Sequence, residues 1–366
     1  MNVFFDYQIF YLQRYGGISR YFYELAKELD ELENCKPKIV VPYNANEYIG
    51  KEKHNRFILT FPPLLKKIFY NRFYDRHIFM NEYLLRKMTS DRKNTILHET
   101  YYTNRVKTNA PRVITIHDMI YELFHNDLAD EKMIIAQKKQ AIEEADCIIA
   151  VSENTKKDLL NLYPAAEAKT HVVYHGVSQS AYPQINKFSR PKPFMLHVGN
   201  RGWYKNFELL LEVFGEQKNI NTAFDLICFG GGKITPQEER LVNKYNLRDK
   251  VHFITGDDTV LISLYKGAAA LIYISNYEGF GMPVLEAMAL SCPVLSSNTS
   301  SLPEVYGNAA LAIDPKSKEA LIEGMTSILL NDAERKKLIR AGLERSAQFT
   351  WKKCAQETFE LYKKLV

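Results

Sequence analysis

The sequence predicts an α/β protein built from two doubly wound domains that face each other across a cleft. Two observations carry this. Short apolar runs alternate with helical patterns along the chain, which implies parallel sheets covered by helices on both faces. A polar stretch holding Pro183, Pro191 and Pro193, Val177–Pro193, divides about five such runs from about six and reads as an interdomain linker. The 366 residues suit roughly two domains of about 150 residues each. The expected bounds are 1–180, 190–345 and a C-terminal segment, 346–366, that crosses back to the first domain.

The first series of strands is expected after a short opening strand, at Lys38–Pro42, Thr95–His98, Arg112–Ile116, Cys147–Val151 and His171–Tyr174. The second is expected at Phe194–Val198, Phe224–Phe229, Val251–Ile254, Ala270–Ser275, Pro293–Ser296 and Ala310–Ile313. An early helix takes its apolar stripe from Ile18, Tyr21, Phe22, Leu25, Leu29 and Leu32. One last helix is expected over roughly Lys337–Val366, with Trp351 in it. Ligands in such sheets sit beyond the C-terminal strand ends.

Composition excludes several classes. Apolar residues make up 46% and charged residues 25%, ordinary for a globular chain and unlike disordered, collagenous or disulfide-rich sequences. No apolar run reaches the about 18 residues of a membrane-spanning helix, and the opening residues lack an export signal. Cys35, Cys147, Cys228, Cys292 and Cys354 are scattered, never C-x-x-C, and read as reduced thiols of a cytoplasmic protein. The net charge of +5 is spread over both halves, so nucleic acid is not an expected partner. One segment stands apart: residues 51–93 carry a net charge of +7, interleaved with eight aromatic residues.

The motifs cluster at the predicted strand ends. Gly16-Gly17 open the early helix, where a glycine pair either admits an anion to backbone N–H groups or makes a tight turn. His117-Asp118 end an apolar strand, either for acid–base and hydroxyl chemistry or as a local pair. Ser152 reads as an N-cap with Thr155 three residues on, and its strand-end position keeps a binding role open. Arg201 and Lys205 follow a strand among glycines, suited either to a diphosphate or to solvent. Glycine and hydroxyl-rich loops follow later strands at Gly230–Gly232, Thr255–Asp257 and Thr299–Glu304. The most informative run is Asn276–Glu286. Glu278 sits in a strand-end loop, Gly279 and Gly281 leave the backbone accessible, and Pro283 suits a first helical turn. The amides of Met282, Val284 and Leu285 are expected to be unpaired there, and Glu286 can accept from a ribose diol. No Asp-x-Asp and no metal-ligand spacing appears, so no metal site and no bound cofactor is expected.

Taken in order, Gly16-Gly17, His117-Asp118, Ser152–Thr155, His175-Gly176-Val177, Arg201…Lys205 and Glu278…Glu286 resemble the retaining GT-B glycosyltransferases of family 4. The last pair matches that family's E-x₇-E element. The resemblance implies a GT-B fold of two Rossmann-like domains, the first binding acceptor and the second binding donor. It implies that Arg201 and Lys205 bind the donor diphosphate. Glu278, with the backbone of Gly279, Phe280 and Gly281, would hold the sugar, and Glu286 the ribose. His117 would contact the donor sugar, and Gly16-Gly17 would border phosphate and acceptor. Two features depart from the pattern: Ser301-Leu302-Pro303-Glu304, where many members carry Gly before Pro-Glu, and the aromatic Trp203-Tyr204.

The expectation is therefore a metal-independent, retaining hexosyltransferase of surface polysaccharide or lipopolysaccharide biosynthesis. Its donor would be a nucleotide-diphosphate sugar, first GDP-mannose and next a UDP-sugar, and its acceptor a glycan or lipid-linked glycan. Residues 51–93 would touch an anionic membrane from the cytoplasmic side, the other reading being a solvated charged face with a few core aromatics. Alternatives are a GT-B nucleotide-sugar epimerase and a non-catalytic nucleotide-sugar-binding protein.

Overall fold

The computed structural model describes residues 1–44, 46–51, 56–60, 74–90, 94–103, 106–124, 129–178 and 184–366. Much of the basic-aromatic segment, including Lys53, Lys66, Lys67, Arg72, Arg92 and Lys93, lies outside the described residues.

The chain forms two compact units, Met1–Gly176 with Trp351–Val366, and Val177–Thr350. The first unit holds a parallel sheet of β1 (Asn2–Phe5), β2 (Lys36–Val40), β3 (Ile58–Leu59), β4 (Thr95–Glu99), β5 (Arg112–Ile116), β6 (Cys147–Ala150) and β7 (Thr170–Val172), in the order β3-β2-β1-β4-β5-β6-β7. The second holds β8 (Phe194–Val198), β9 (Asp225–Phe229), β10 (Val251–Ile254), β11 (Ala270–Tyr273), β12 (Val294–Ser297) and β13 (Leu311–Ile313), in the order β10-β9-β8-β11-β12-β13. All pairings described in both sheets are parallel, for example Leu196 with Leu271 and with Ile227. The sequence-predicted class, two Rossmann-like parallel-sheet domains, is the observed one. The central strands β4 and β8 are buried along their whole length, as strands covered on both faces must be.

Strand order reverses between β1 and β4, and again between β8 and β11. Helices leaving those adjacent strands go to opposite faces, so a crevice opens beyond the strand ends. In the second unit it is bordered by the loops after β8 and β11. Those loops contain Arg201, Lys205 and Glu278.

The structure corrects three sequence expectations. The two-residue strand β3 was not foreseen, because two residues carry no periodicity. A short helix, Gln8–Leu12, intervenes between β1 and Gly16. The last helix is two helices, Asp332–Ser346 and Trp351–Lys363. The chain breaks between them because Phe349 turns inward, its ring 6.1 Å from Phe280 and 4.8 Å from the Arg345 guanidinium. Its carbonyl accepts from Val177 N at 3.0 Å. Helix Trp351–Lys363 then packs in the first unit against helix Gly17–Asp30, with Trp351 and Tyr21 ring centroids 6.1 Å apart.

Buried histidines are a feature of both units. His98 bridges Tyr362 Oη at 2.5 Å and Thr115 Oγ1 at 2.9 Å, fastening the C-terminal helix to the first sheet. Burial pushes His98, His175 and His197 down to about 3. It also lowers His117 well below the usual imidazole range. The unfolded chain takes up protons below about 6.5, where these folded rings do not. Their stabilising contribution is therefore complete above that pH and lost as pH falls toward 3. Each contributes a slope of up to about 1.4 kcal/mol per pH unit. The urea midpoint is expected to drop clearly between pH 7.5 and 5.5, above the ordinary carboxylate range. A flat midpoint over that range would show that these rings take up protons as readily in the folded state as in the unfolded one.

Candidate functional site

Chain geometry around β8 and β11 explains why two distant segments meet. After β8 the chain turns through Gly199, makes a 3₁₀ turn at Trp203–Lys205 and enters helix Phe207–Glu216. Asn206 takes the left-handed conformation, φ 52°, which Asn tolerates better than most residues. Its amide donates to Ile274 O at 3.0 Å and Pro315 O at 3.1 Å, and exchanges bonds with the Asn276 amide at 3.0 and 2.9 Å. Asn276 N donates to Tyr204 O at 2.6 Å. The two strand-end loops are thereby laced together.

Lys205 and Glu278 consequently form a buried ion pair, with side chains 8% and 11% exposed. Lys205 Nζ also donates to Tyr273 Oη at 2.8 Å, and lies 4.8 and 5.2 Å from the ring centroids of Tyr273 and Tyr204. The Trp203 side chain lies outside the described residues. Lys205 is thus neither solvated nor isolated. Glu278 is held from behind: its N–H donates to Ser300 Oγ at 2.9 Å, and its carbonyl accepts from Ser301 Oγ at 2.8 Å. The Ser301-Leu302-Pro303-Glu304 segment that departs from the family pattern therefore supplies part of this support. The Thr299-Ser300-Ser301 run is the only sequence signal that could have found it.

Arg201 is placed differently. Its Nε pairs with Glu238 at 2.8 Å, Nη1 donates to Gly230 O at 2.6 Å, and Nη2 donates to Gly232 O at 3.2 Å and Lys233 O at 2.9 Å. Four of its five N–H hydrogens are engaged within the protein. Its side chain is 2% exposed, so the solvated reading does not hold. Gly231, at φ 73°, is where glycine is required, since a Cβ would lie 2.6 Å from Arg201 Nη1. Glu238, which sequence reasoning missed, also closes the capping box of helix Pro236–Lys244 through Thr235.

Helix Met282–Ala289 begins at Gly281, φ 101°, where a Cβ would lie 2.6 Å from Leu302. Pro283 occupies its first turn, as expected. The expectation of three unpaired amides is corrected. Val284 N and Leu285 N donate to Gly281 O at 3.0 and 3.4 Å, closing the first turn and leaving Met282 N–H as the unengaged one of the three among the described residues. Phe280 is buried against Phe349. Glu286, one turn in and 7% exposed, accepts from Tyr265 Oη at 3.1 Å.

In the first unit, His117 follows β5. Its ring stacks on His175 with centroids 5.7 Å apart and planes within 9°, and meets Tyr21 edge-on at 5.2 Å. Its Nε2 is buried without a hydrogen-bond partner among the described residues. It is not paired with Asp118, which instead caps the next turn through Ile120 N at 3.1 Å. Gly16 starts helix Gly17–Asp30, with the Gln13 side chain occupying the space a Cβ would need. Nothing lies within 4 Å of a Cβ built at Gly17. Ser152 caps helix Glu153–Leu162 by accepting from Thr155 N at 3.0 Å, the structural reading of that motif. No group of three or more His, Cys, Asp or Glu suited to a metal occurs among the described residues.

A buried ion pair has a clear mutational signature. Removing one partner leaves the other charge buried, at a cost of about 3–5 kcal/mol. Lys205→Met and Glu278→Gln are each expected to destabilise the second unit, and the double variant is expected to recover most of the loss. Urea unfolding of the four proteins measures this; simple additivity would mean that the two side chains do not interact.

Residues 15–180 match the family described as Glycosyltransferase Family 4, and residues 178–345 match Glycosyl transferases group 1. The O-antigen chain mannosyltransferase B of Escherichia coli is 27% identical over 380 residues, spanning 95% of this chain and 96% of that one. Among solved structures, a sucrose-phosphate synthase from Thermosynechococcus elongatus superposes with a TM-score of 0.75 at 20% identity, covering 100% of this chain and 98% of that one. HepE of Anabaena, solved with UDP and glucose, gives 0.73 at 15% identity over 100% and 99%. The chain belongs to the GT-B glycosyltransferases, with a family 4 N-terminal domain and a group 1 C-terminal domain.

Proposed function

We propose that this protein transfers a hexose, with retention of configuration, from a nucleotide-diphosphate sugar to a glycan or lipid-linked acceptor of a surface polysaccharide. The observation that carries the reading is the buried Lys205–Glu278 pair at the switch point of the second sheet, beside a helix start followed one turn later by Glu286. Glycosyl transfer passes through an oxocarbenium-like state while a diphosphate departs. Lys205 supplies a cation for the departing charge, assisted by the Met282 amide and the dipole of helix Met282–Ala289. Arg201 serves the same diphosphate through its remaining Nη1 hydrogen and by shaping the Gly230–Gly232 loop. Glu278, with the backbone of Gly279–Gly281, accepts from sugar hydroxyls, and Glu286 from the ribose diol. His117, neutral because it is buried, contacts the donor sugar near the reaction centre, and Gly16-Gly17 border phosphate and acceptor. The Escherichia coli relative, named an O-antigen mannosyltransferase, supports GDP-mannose as first donor; the UDP in the HepE structure supports a UDP-sugar as second.

Donor class is tested with a thermal-shift panel of UDP, GDP and ADP. A ligand at about 100 times its dissociation constant adds roughly 2.7 kcal/mol, and one nucleoside diphosphate is expected to stand out. Lys205→Ala and Arg201→Ala are each expected to lower turnover by about 10²–10³-fold, the usual effect of losing one charge-stabilising donor. Transfer is expected to persist in excess EDTA, because the leaving charge is assigned to protein groups. Near-wild-type rates at saturating donor in both variants would overturn the diphosphate assignment, and loss of activity in EDTA restored by Mg²⁺ would overturn the metal-independent one. Binding of the nucleotide sugar without turnover would return the non-catalytic reading.

The same proposal places the enzyme on the cytoplasmic face of a membrane through residues 51–93. No described helix is long and apolar enough to cross a bilayer. Within the described part of the segment, Phe79 and Tyr83 are 68% and 53% exposed beside Arg86, an arrangement suited to an anionic interface. Co-sedimentation with anionic liposomes is expected to weaken with salt and to be lost when Lys66, Lys67, Arg72 and Arg76 are replaced by Ser. Equal partitioning of both proteins would return the segment to a solvated face.

A further inference from the structure

Tyr273 is the last residue of β11, within the run Ala-Leu-Ile-Tyr. Its neighbours Ile272 and Ile274 face the core beneath helix Phe207–Glu216. Tyr273 points to the opposite face of the strand and is 1% exposed. A fully buried position in the middle of a parallel sheet ordinarily takes Val, Leu or Ile, since a hydroxyl there is costly unless paired. The Tyr273 hydroxyl is paired: it accepts from Lys205 Nζ at 2.8 Å. The Lys205 ammonium also sits 4.8 Å from the Tyr273 ring centroid.

We propose that Tyr273 is a positioning residue for the transfer: its buried hydroxyl and ring hold the Lys205 ammonium in place when the sugar's hydroxyls draw on Glu278. The inference rests on the reading of Lys205 as a diphosphate ligand. An ammonium has three N–H hydrogens. Tyr273 and Glu278 take two of them, and the third is left for a donor oxygen. Glu278 has a second task, accepting from the sugar, and its hold on Lys205 weakens as it performs that task. Tyr273 has no such second task. Its position on a rigid strand, rather than on a loop, fixes where the ammonium points. Burial and the neighbouring Glu278 charge hold the phenol well above its ordinary range, so the hydroxyl stays protonated beside the ammonium. Lysine, with a long flexible stem, loses aim readily without such an anchor.

The test uses the full chain and Tyr273→Phe, which keeps the ring and removes only the hydroxyl. Three measurements are made: thermal melting with UDP, GDP and ADP, kcat and KM for the donor, and the rate of Lys205 reductive methylation followed by peptide mass. The expected result is a fall in kcat of about tenfold or more with donor KM changed less than about threefold, since the Lys205 ammonium that the hydroxyl positions meets charge that develops in the transition state. Methylation of Lys205 is expected to be several-fold faster in the variant. A folded variant with wild-type kcat, or with an unchanged methylation rate, overturns the proposal while leaving the donor reading intact. A wild-type protein that no nucleoside diphosphate stabilises overturns the donor reading itself, and the proposal with it.

Discussion

A lysine ammonium buried against a carboxylate is the constraint on which the second unit's strand-end geometry depends. Two charges removed from water must find each other, and their remaining hydrogen-bonding capacity must be met. Lys205 and Glu278 satisfy this only because the loops after β8 and β11 are laced together by Asn206 and Asn276, and because Ser300 and Ser301 hold Glu278 from the next loop. Adjacent parallel strands at a switch point bring the loops close; the amide ladder fixes them. An exposed pair in this arrangement would be worth little and would wander. Burial makes it rigid, and rigidity is what a charge-stabilising site requires.

A second buried cation, Arg201, organises a neighbouring loop by a different route. Gly230, Gly231 and Gly232 all have positive φ, from 72° to 87°, and two of their carbonyls point at the guanidinium. The planar fork of Arg matches several fixed acceptors at once, which Lys could not do. Glu238 neutralises it and simultaneously caps a helix. Two cations four residues apart thus receive distinct environments: one faces a carboxylate and a phenol, the other is clasped by backbone.

The first unit buries neutral imidazoles alongside its ion pairs. His98, His117 and His175 lie at strand ends and are kept uncharged by burial. His98 ties the returning C-terminal helix to the sheet through Tyr362, so residues 264 apart in the sequence share one core. The buried Lys138–Glu122 pair, 2.9 Å apart, anchors the turn that follows His117, with Lys138 also donating to Asp118 O at 3.1 Å. A neutral His117 with an unmet Nε2 sits beside that anchored turn.

Fold class is legible in local sequence pattern alone. Apolar runs such as Phe194–Val198 and Cys147–Ala150 are continuous because both faces of a parallel sheet are buried, and that signal is local. The start of helix Met282–Ala289 was legible too, because Pro283 fixes a φ suited to a first turn and Gly281 tolerates the left-handed conformation before it. The partners of the buried polar groups come from the assembled sheets. Lys205 finds Glu278 and Tyr273 across about 70 residues, Arg201 finds Glu238 and the triglycine carbonyls, and His98 finds Tyr362 across 264. The same holds for the break at Phe349, which helical periodicity alone would run through. Local patterns report how a residue is exposed to its own element. Which distant charge or ring it meets depends on strand order and crossover, and no window along the chain contains that information.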